Sequence, residues 1–252
     1  MLRQIARVLD PLHPELYKPV IIMGMHRSGT SFLAEVLHRA GIHMGVKRDH
    51  NFEAFHFLSI NQRAMWQAGG DWYKPVVPAS EHFDKWTAEE LFKIHFGLKG
   101  NGKYILYKLI NKRWGWKDPR NTFTLPFWLN QFPQAKVIHL IRNGWDVALS
   151  LQKRNQKLGE VYKAEFDNPL AGFNLWNIYI TKAFSYEYSN IHHVKYEDLM
   201  KKNSEEISRL ENFLKVFLKK YIDHLASKPN VRSVRFPEEV RQNVWMKKFY
   251  DE

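Results

Sequence analysis

Residues 19–37 read PVIIMGMHRSGTSFLAEVL, and their spacing is that of a loop built to hold phosphate. Gly24, four residues, then Gly29, Thr30 and Ser31 reproduce the pattern G-x-x-x-x-G-K-[ST], with Thr30 where that pattern has lysine. Backbone N–H groups of a glycine loop that opens a helix bind anions by geometry and by the helix dipole. Ser28, Gly29, Thr30 and Ser31 are therefore candidate anion contacts, with His26 beside them either as a further contact or as a solvent-facing filler. The cation inside the loop is Arg27. Loops that bind ATP use their lysine to reach the β and γ phosphates and their Ser/Thr to hold Mg²⁺. Arginine presents a fixed fork of donors and keeps its proton, which suits a terminal oxyanion better than a metal-bridged triphosphate. The plain alternative is a turn that contains two glycines.

A second pair of chemically useful groups lies in HNFEAFHFLSINQRAM, where Glu53 and His56 are three residues apart and would share one helix face. A buried carboxylate whose pKa is raised toward neutrality can serve as a general base. Equally, Glu53 would be an exposed helix residue and His56 a ring packed among Phe52, Phe55 and Phe57. His192 and His193 are adjacent in a strand candidate and point to opposite faces, a poor metal pair. No metal site is expected.

These groups need elements to hold them. Val20 to Met23 is a short apolar run ending at Gly24, and residues 30–40 show helical spacing that stops at Gly41, giving strand, loop and helix in sequence. KVIHLI at 136–141 is a second strand candidate, followed by a helix starting near Asn143. A third is IHHVKYEDL at 191–199, preceded by the helical segment AGFNLWNIYITKAFSYEY. Asn203 is placed to cap a further helix with Glu206 three residues on and a buried stripe from Ile207 through Phe217 to Tyr221. Lys215 and Lys219 fall on its outer face. Leu2, Ile5, Ala6 and Leu9 suit a short amphipathic helix at the start of the chain. Residues 43–115 and 153–170 lack clear periodicity, as lids or substrate walls often do. Alternating strands and helices predict an α/β fold: one domain over 1–252, with a mostly parallel central sheet flanked by helices. Its core runs from about 19 to 225, and 226–252 form a basic C-terminal segment.

With 252 residues, 44% of them apolar, the chain is long enough for one large core, and the absence of cysteine excludes disulfides, thiolate zinc sites and thiol catalysis. The longest apolar runs fall short of a membrane span and the first residues lack a signal peptide's apolar stretch, so a soluble, cytoplasmic protein is expected. The net charge of +12 asks for an anionic partner or reflects a solvated basic surface. It is spread along the chain without a basic arm, which argues against nucleic acid as the partner.

GMHRSGTS, KVIHLIRNGWDVALS and VKYEDL, in that order, resemble the sulfotransferases that use 3′-phosphoadenosine 5′-phosphosulfate (PAPS), and the likeness extends from about residue 19 to 200. The resemblance implies a P-loop-like sulfotransferase fold, closer to the glycan and protein-tyrosine type. It implies that the first loop grips the 5′ phosphosulfate, and that Arg142 and Ser150, eight residues apart, meet the 3′ phosphate. Tyr196 would lie near the adenine. Lys117 in WGWKDPR would stabilise charge or assist the leaving group, with Asp118 and Arg120 orienting it; its plain alternative is a surface turn on a Trp-rich strand. Glu53 falls where such enzymes place a catalytic glutamate, with His56 as the other candidate base. Arg232, Ser233 and Arg235 occupy roughly the place of the family's C-terminal cofactor clamp, whose glycine- and lysine-rich pattern is not recognisable here.

The expected activity is transfer of a sulfuryl group, without a metal, from PAPS to a hydroxyl of a carbohydrate or small metabolite, where Trp66, Trp72, Tyr73 and Trp86 are available to stack on sugar rings. The competing readings are a P-loop sugar or nucleoside kinase using ATP–Mg²⁺, against which the missing lysine counts, and a non-catalytic basic binding module.

Overall fold

A computed structural model describes residues 18–45, 47–85, 87, 89, 113–157, 162–226 and 236–250. The expected helix at 2–9, Trp86, and Arg232, Ser233 and Arg235 lie outside them. Four strands, β1 (Val20–Met23), β2 (Gly115–Lys117), β3 (Lys136–Ile141) and β4 (Ile191–Lys195), form one sheet in the order β2-β1-β3-β4. All three pairings are parallel.

Both faces of this sheet are buried, because alternate residues of β1 serve different cores. Val20 and Ile22 join Ile138, Leu140 and Val194 against helices α1 (Thr30–Arg39), α7 (Ser204–Leu214) and α8 (Lys219–Leu225). Ile21 and Met23 point the other way, into an aromatic core with Trp116 and Val137, under α2 (Phe55–Gln67) and α3 (Asn121–Gln131). A third cluster joins α4 (Gly144–Asn155) to α5 (Pro169–Phe184) and, through Val240 and Met246, to α9 (Glu238–Gln242) and α10 (Val244–Tyr250). The short helix α6 (Tyr196–Met200) follows β4 directly.

Several local choices depart from simple periodicity. Helix α3 contains Pro126, whose missing N–H leaves the Thr122 carbonyl without its helical donor; the Tyr186 hydroxyl donates to that carbonyl at 2.8 Å instead. The stripe expected from 207 to 221 is broken, because Lys215 adopts a left-handed conformation (φ 58°) and ends α7. Lys215 and Lys219 therefore do not share a helix, and Phe217, expected inside, is 87% exposed. The third strand is shorter than its sequence run, ending at Lys195 before α6. Residues 43–115, without a readable period, hold α2 and the start of β2. Among the described residues no helix is long and apolar enough to cross a membrane.

Candidate active site

The carboxyl ends of parallel strands open one crevice, where ligands of open α/β sheets bind. β1 delivers the loop at 24–29, β2 delivers Lys117 to Arg120, and β3 delivers Arg142 and the cap of α4. Together they wall a cavity of about 430 Å³, lined by His26, Arg27, Gly29, Thr30 and Ser31 from the loop and by Glu53, Lys117 and Arg142.

The loop is shaped by backbone more than by side chains. Gly29 caps α1 with φ 92° and no side-chain cap, and a Cβ there would lie 2.4 Å from the Tyr196 ring. Arg27 also takes a left-handed φ of 71°. The first intrahelical bond of α1 runs from the Leu33 N–H to the Gly29 carbonyl at 3.2 Å, so the N–H groups of Thr30, Ser31 and Phe32 precede the helical ladder. The Ser28 hydroxyl turns inward and donates to the Met25 carbonyl at 2.7 Å, which closes the loop rather than facing the cavity.

Arg142 and Ser150 are brought to this loop, each in its own way. Arg142 Nη1 donates to the Arg27 carbonyl at 3.0 Å, while its guanidinium stacks 4.9 Å from the centre of the Tyr196 ring. Its Nε is buried without a hydrogen-bond partner. Ser150 Oγ accepts from Arg27 Nε at 3.1 Å, so the serine meets the loop arginine. Asn143 caps α4, accepting from the Trp145 and Asp146 N–H groups, and its own N–H donates to Glu197 at 2.8 Å.

Across the cavity, Glu53 and Lys117 form a buried ion pair. Lys117 Nζ lies 2.9 Å from Glu53 Oε1 and also donates to the Asn51 carbonyl at 3.0 Å. Glu53 is not on a helix with His56. It precedes α2 and bridges β2 at Lys117, held there because its N–H donates to Asp49 Oδ1 at 2.7 Å. His56 lies in the first turn of α2 and does not line the cavity. The expected shared helix face fails because Phe52 adopts φ 61° and turns the chain just before Glu53. Arg120 Nη1 sits 3.0 Å from Asp118 Oδ1 and 3.6 Å from Glu53 Oε2. Burial is the largest influence on Glu53 and pushes its carboxyl above the usual range; Lys117 opposes the rise, Asp118 adds to it and Arg120 opposes it. Burial also dominates at His26, and with the neighbouring cations Arg120, Lys117, Arg154 and Arg27 it holds the ring well below the ordinary histidine value, hence neutral.

The structure adds residues that the sequence did not single out. Asp49 and Asn51 line the cavity, and no local signal marked them. Arg154 also lines it, and its signal was available: it lies one helical turn beyond Ser150 on α4. Of the aromatic residues considered for stacking, Trp72 lines the cavity and Tyr73 packs edge-on against it, while Trp66 is 58% exposed on α2.

Mouse sulfotransferase SULT7A1 complexed with PAP is similar in fold, with a TM-score of 0.50 at 19% identity; the alignment covers 83% of this chain and 64% of that one. The sulfotransferase domain of the Synechococcus PCC 7002 olefin synthase aligns over 90% of this chain and 84% of its own, at 16% identity and a TM-score of 0.48. A sulfotransferase from Alicyclobacillus acidocaldarius aligns over 89% and 88%, at 13% identity and a TM-score of 0.47. No curated protein matches the sequence. The sulfotransferase family profile matches residues 19–219. That match begins at the residue before β1, ends at the first residue of α8 and takes in every cavity residue named above, and the chain belongs to the sulfotransferase family.

Proposed function

We propose that this enzyme moves the sulfuryl group of PAPS to a hydroxyl of a carbohydrate or small metabolite, in the cytoplasm and without a metal. The observation that carries the reading is that the glycine loop, Arg142 and the buried Glu53–Lys117 pair all face one cavity. The residues suit the donor. A helix start without a side-chain cap offers N–H groups to an anion, and the orphaned, buried Nε of Arg142 offers a charged donor to a second one. The cavity volume, about 430 Å³, falls within the range for small-molecule sites.

Bound PAPS supplies an activated sulfuryl group on a phosphate leaving group, so catalysis needs position and charge more than covalent chemistry. In this reading the N–H groups of Gly29, Thr30 and Ser31 hold the 5′ end, and Arg27 adds a fixed cation there. Arg142 receives the 3′ phosphate beside the Tyr196 ring. Ser150 acts chiefly through Arg27, whose Nε it anchors. Glu53 takes the proton of the acceptor hydroxyl, and its raised pKa makes it a better base than an exposed glutamate. An ammonium has three donors; Glu53 and the Asn51 carbonyl take two from Lys117, leaving the third for charge that develops on the leaving group.

The test is thermal stabilisation by PAP, the desulfated product, without metal, against ATP with Mg²⁺ and against DNA. PAP alone should raise the melting temperature, and Arg142→Ala should remove most of the effect. Stabilisation by ATP–Mg²⁺ alone would replace this reading with phosphoryl transfer.

A further inference from the structure

We infer that Glu197 is a positioning residue for Arg142 and that Tyr250, on α10, holds Glu197 in place. Together they give the site its preference for a nucleotide with a 3′ phosphate, which rests on the donor reading above. Arg142 stands where β3 gives way to α4, and its guanidinium meets a phosphate only if the backbone that carries it is fixed. The peptide group that follows Arg142 is held at both ends. Its carbonyl accepts from Trp176 Nε1 at 3.0 Å, and its N–H, that of Asn143, donates to Glu197 Oε1 at 2.8 Å.

Each holder is itself fixed. Gly144 leaves room for the Trp176 indole, which would lie 2.5 Å from a Cβ at that position. Glu197 sits in the first turn of α6, directly after Tyr196, the ring on which the Arg142 guanidinium stacks. Its second oxygen, Oε2, accepts from the Tyr250 hydroxyl at 3.1 Å. Helix α10 is docked at both ends. The Asn243 side chain caps it by accepting from the Trp245 and Met246 N–H groups, and Asn243 Nδ2 donates to Asn177 Oδ1 at 2.8 Å. At the other end Lys195, the last residue of β4, donates from Nζ to the Phe249 carbonyl at 3.0 Å and lies 5.1 Å from the centre of the Tyr250 ring.

A carboxylate taken out of water is costly unless its oxygens are answered. Here one oxygen is answered by the peptide that carries Arg142 and the other by α10, so the carboxylate braces one against the other. Burial is the largest influence on the Glu197 carboxyl and raises its pKa; the Asn143 N–H, its own N–H, the Tyr250 hydroxyl and the Arg142 charge oppose the rise, in that order. Neither Glu197 nor Tyr250 is among the residues that line the cavity, so both act on the nucleotide through Arg142.

Titration calorimetry with PAP and with 5′-AMP, which lacks the 3′ phosphate, tests this through the ratio of the two affinities. Wild-type enzyme should prefer PAP, and Tyr250→Phe, which removes only the hydroxyl, should cut that preference by about threefold or more. Glu197→Ala removes both hydrogen bonds and should cut it by about tenfold. Glu197→Gln keeps an oxygen for the Asn143 N–H and loses the charge, so its preference should stay at or above the wild-type value. Loss of the negative charge alone would instead tighten the hold on phosphate, and a merely structural role would weaken PAP and 5′-AMP alike. An unchanged or raised ratio in Tyr250→Phe or Glu197→Ala, or no recovery in Glu197→Gln, would each overturn the inference and leave the donor reading standing. Tyr250→Phe alone decides where Glu197→Ala does not fold. Equal binding of PAP and 5′-AMP by the wild-type enzyme would instead remove Arg142 from the 3′ phosphate, and the inference with it.

Discussion

Lys117 Nζ lies 2.9 Å from Glu53 Oε1, and the two side chains are only 2% and 8% exposed. A pair this deep is held by the chain geometry around it: β2 ends at Lys117, and Asp49 pins the backbone of Glu53 alongside. Glu53→Gln keeps an oxygen for the ammonium and removes the base. Turnover should fall by about a hundredfold or more, in line with general-base contributions, while PAP affinity moves by less than about twofold. The acid limb of log kcat/KM should lie above the ordinary glutamate pKa, because burial raises the Glu53 value and the carboxylate is the active form. That limb should be absent from the residual activity of Glu53→Gln. Undiminished turnover would remove Glu53 from the role of base.

Arg142 is tied to the loop by one hydrogen bond and to Tyr196 by ring stacking, with its Nε still unused. Arg142→Ala should weaken PAP by about 2 kcal/mol, roughly thirtyfold, the size of a lost charge-assisted contact. Arg142→Lys should recover only part of this, since a point charge replaces a fork. Titration calorimetry reads both, and unchanged PAP affinity in the alanine variant would exclude Arg142 from the nucleotide site.

The parts legible in the sequence were those fixed by local pattern. The strand–loop–helix unit at 20–39, the start of α4 at Asn143 and the cap of α7 at Asn203 each rest on a few neighbouring residues. The parallel sheet followed from alternation of strands and helices. What escaped was set by contacts distant in sequence. β2 is three residues long, too short to show a period, and exists because Val20 to Ile22 pair with it. The Glu53–Lys117 pairing spans 64 residues, so spacing gave a helix face with His56 where the fold gives a bridge to β2. Proline at 126 argues locally against α3, and a tyrosine 60 residues further on repairs the helix.

His139 and His193 face each other on neighbouring strands with their Nδ1 atoms 2.9 Å apart, so one ring donates and the other accepts. Both are depressed by burial first, His193 to about 4 and His139 well below the ordinary value. The unfolded chain binds protons on these rings near pH 6.5 and the folded chain resists them, so stability is complete above that pH and is lost as pH falls toward 4. Lowering the pH from 7 to 5 should cost about 1 kcal/mol through His193 alone, after allowance for its partial exposure, and His139 adds to the loss. Urea midpoints at the two pH values measure it. His193→Gln should flatten the dependence, and an unchanged slope in that variant would assign it to other groups.

Asn61 on α2 has every polar valence used inside the aromatic core. Its Nδ2 donates to Asp118 Oδ2 and Asn121 Oδ1, each at 2.9 Å, and its Oδ1 accepts from Thr124 Oγ1 and Trp128 Nε1, each at 2.8 Å. Asp118 in turn accepts from the backbone N–H and Nη1 of Arg120, which stands beside Glu53. Asn61→Leu keeps the number and branching of the side-chain heavy atoms but orphans a carboxylate oxygen and an indole N–H together. Each orphan costs about 1–3 kcal/mol, so a loss of about 3 kcal/mol or more is expected from urea unfolding. The damage should reach the site as well: with Asp118 released, the Arg120 fork loses its anchor, and the acid limb assigned to Glu53 should shift in the variant at a temperature where it remains folded. Loss of stability with an unmoved limb would show that the network supports the core alone.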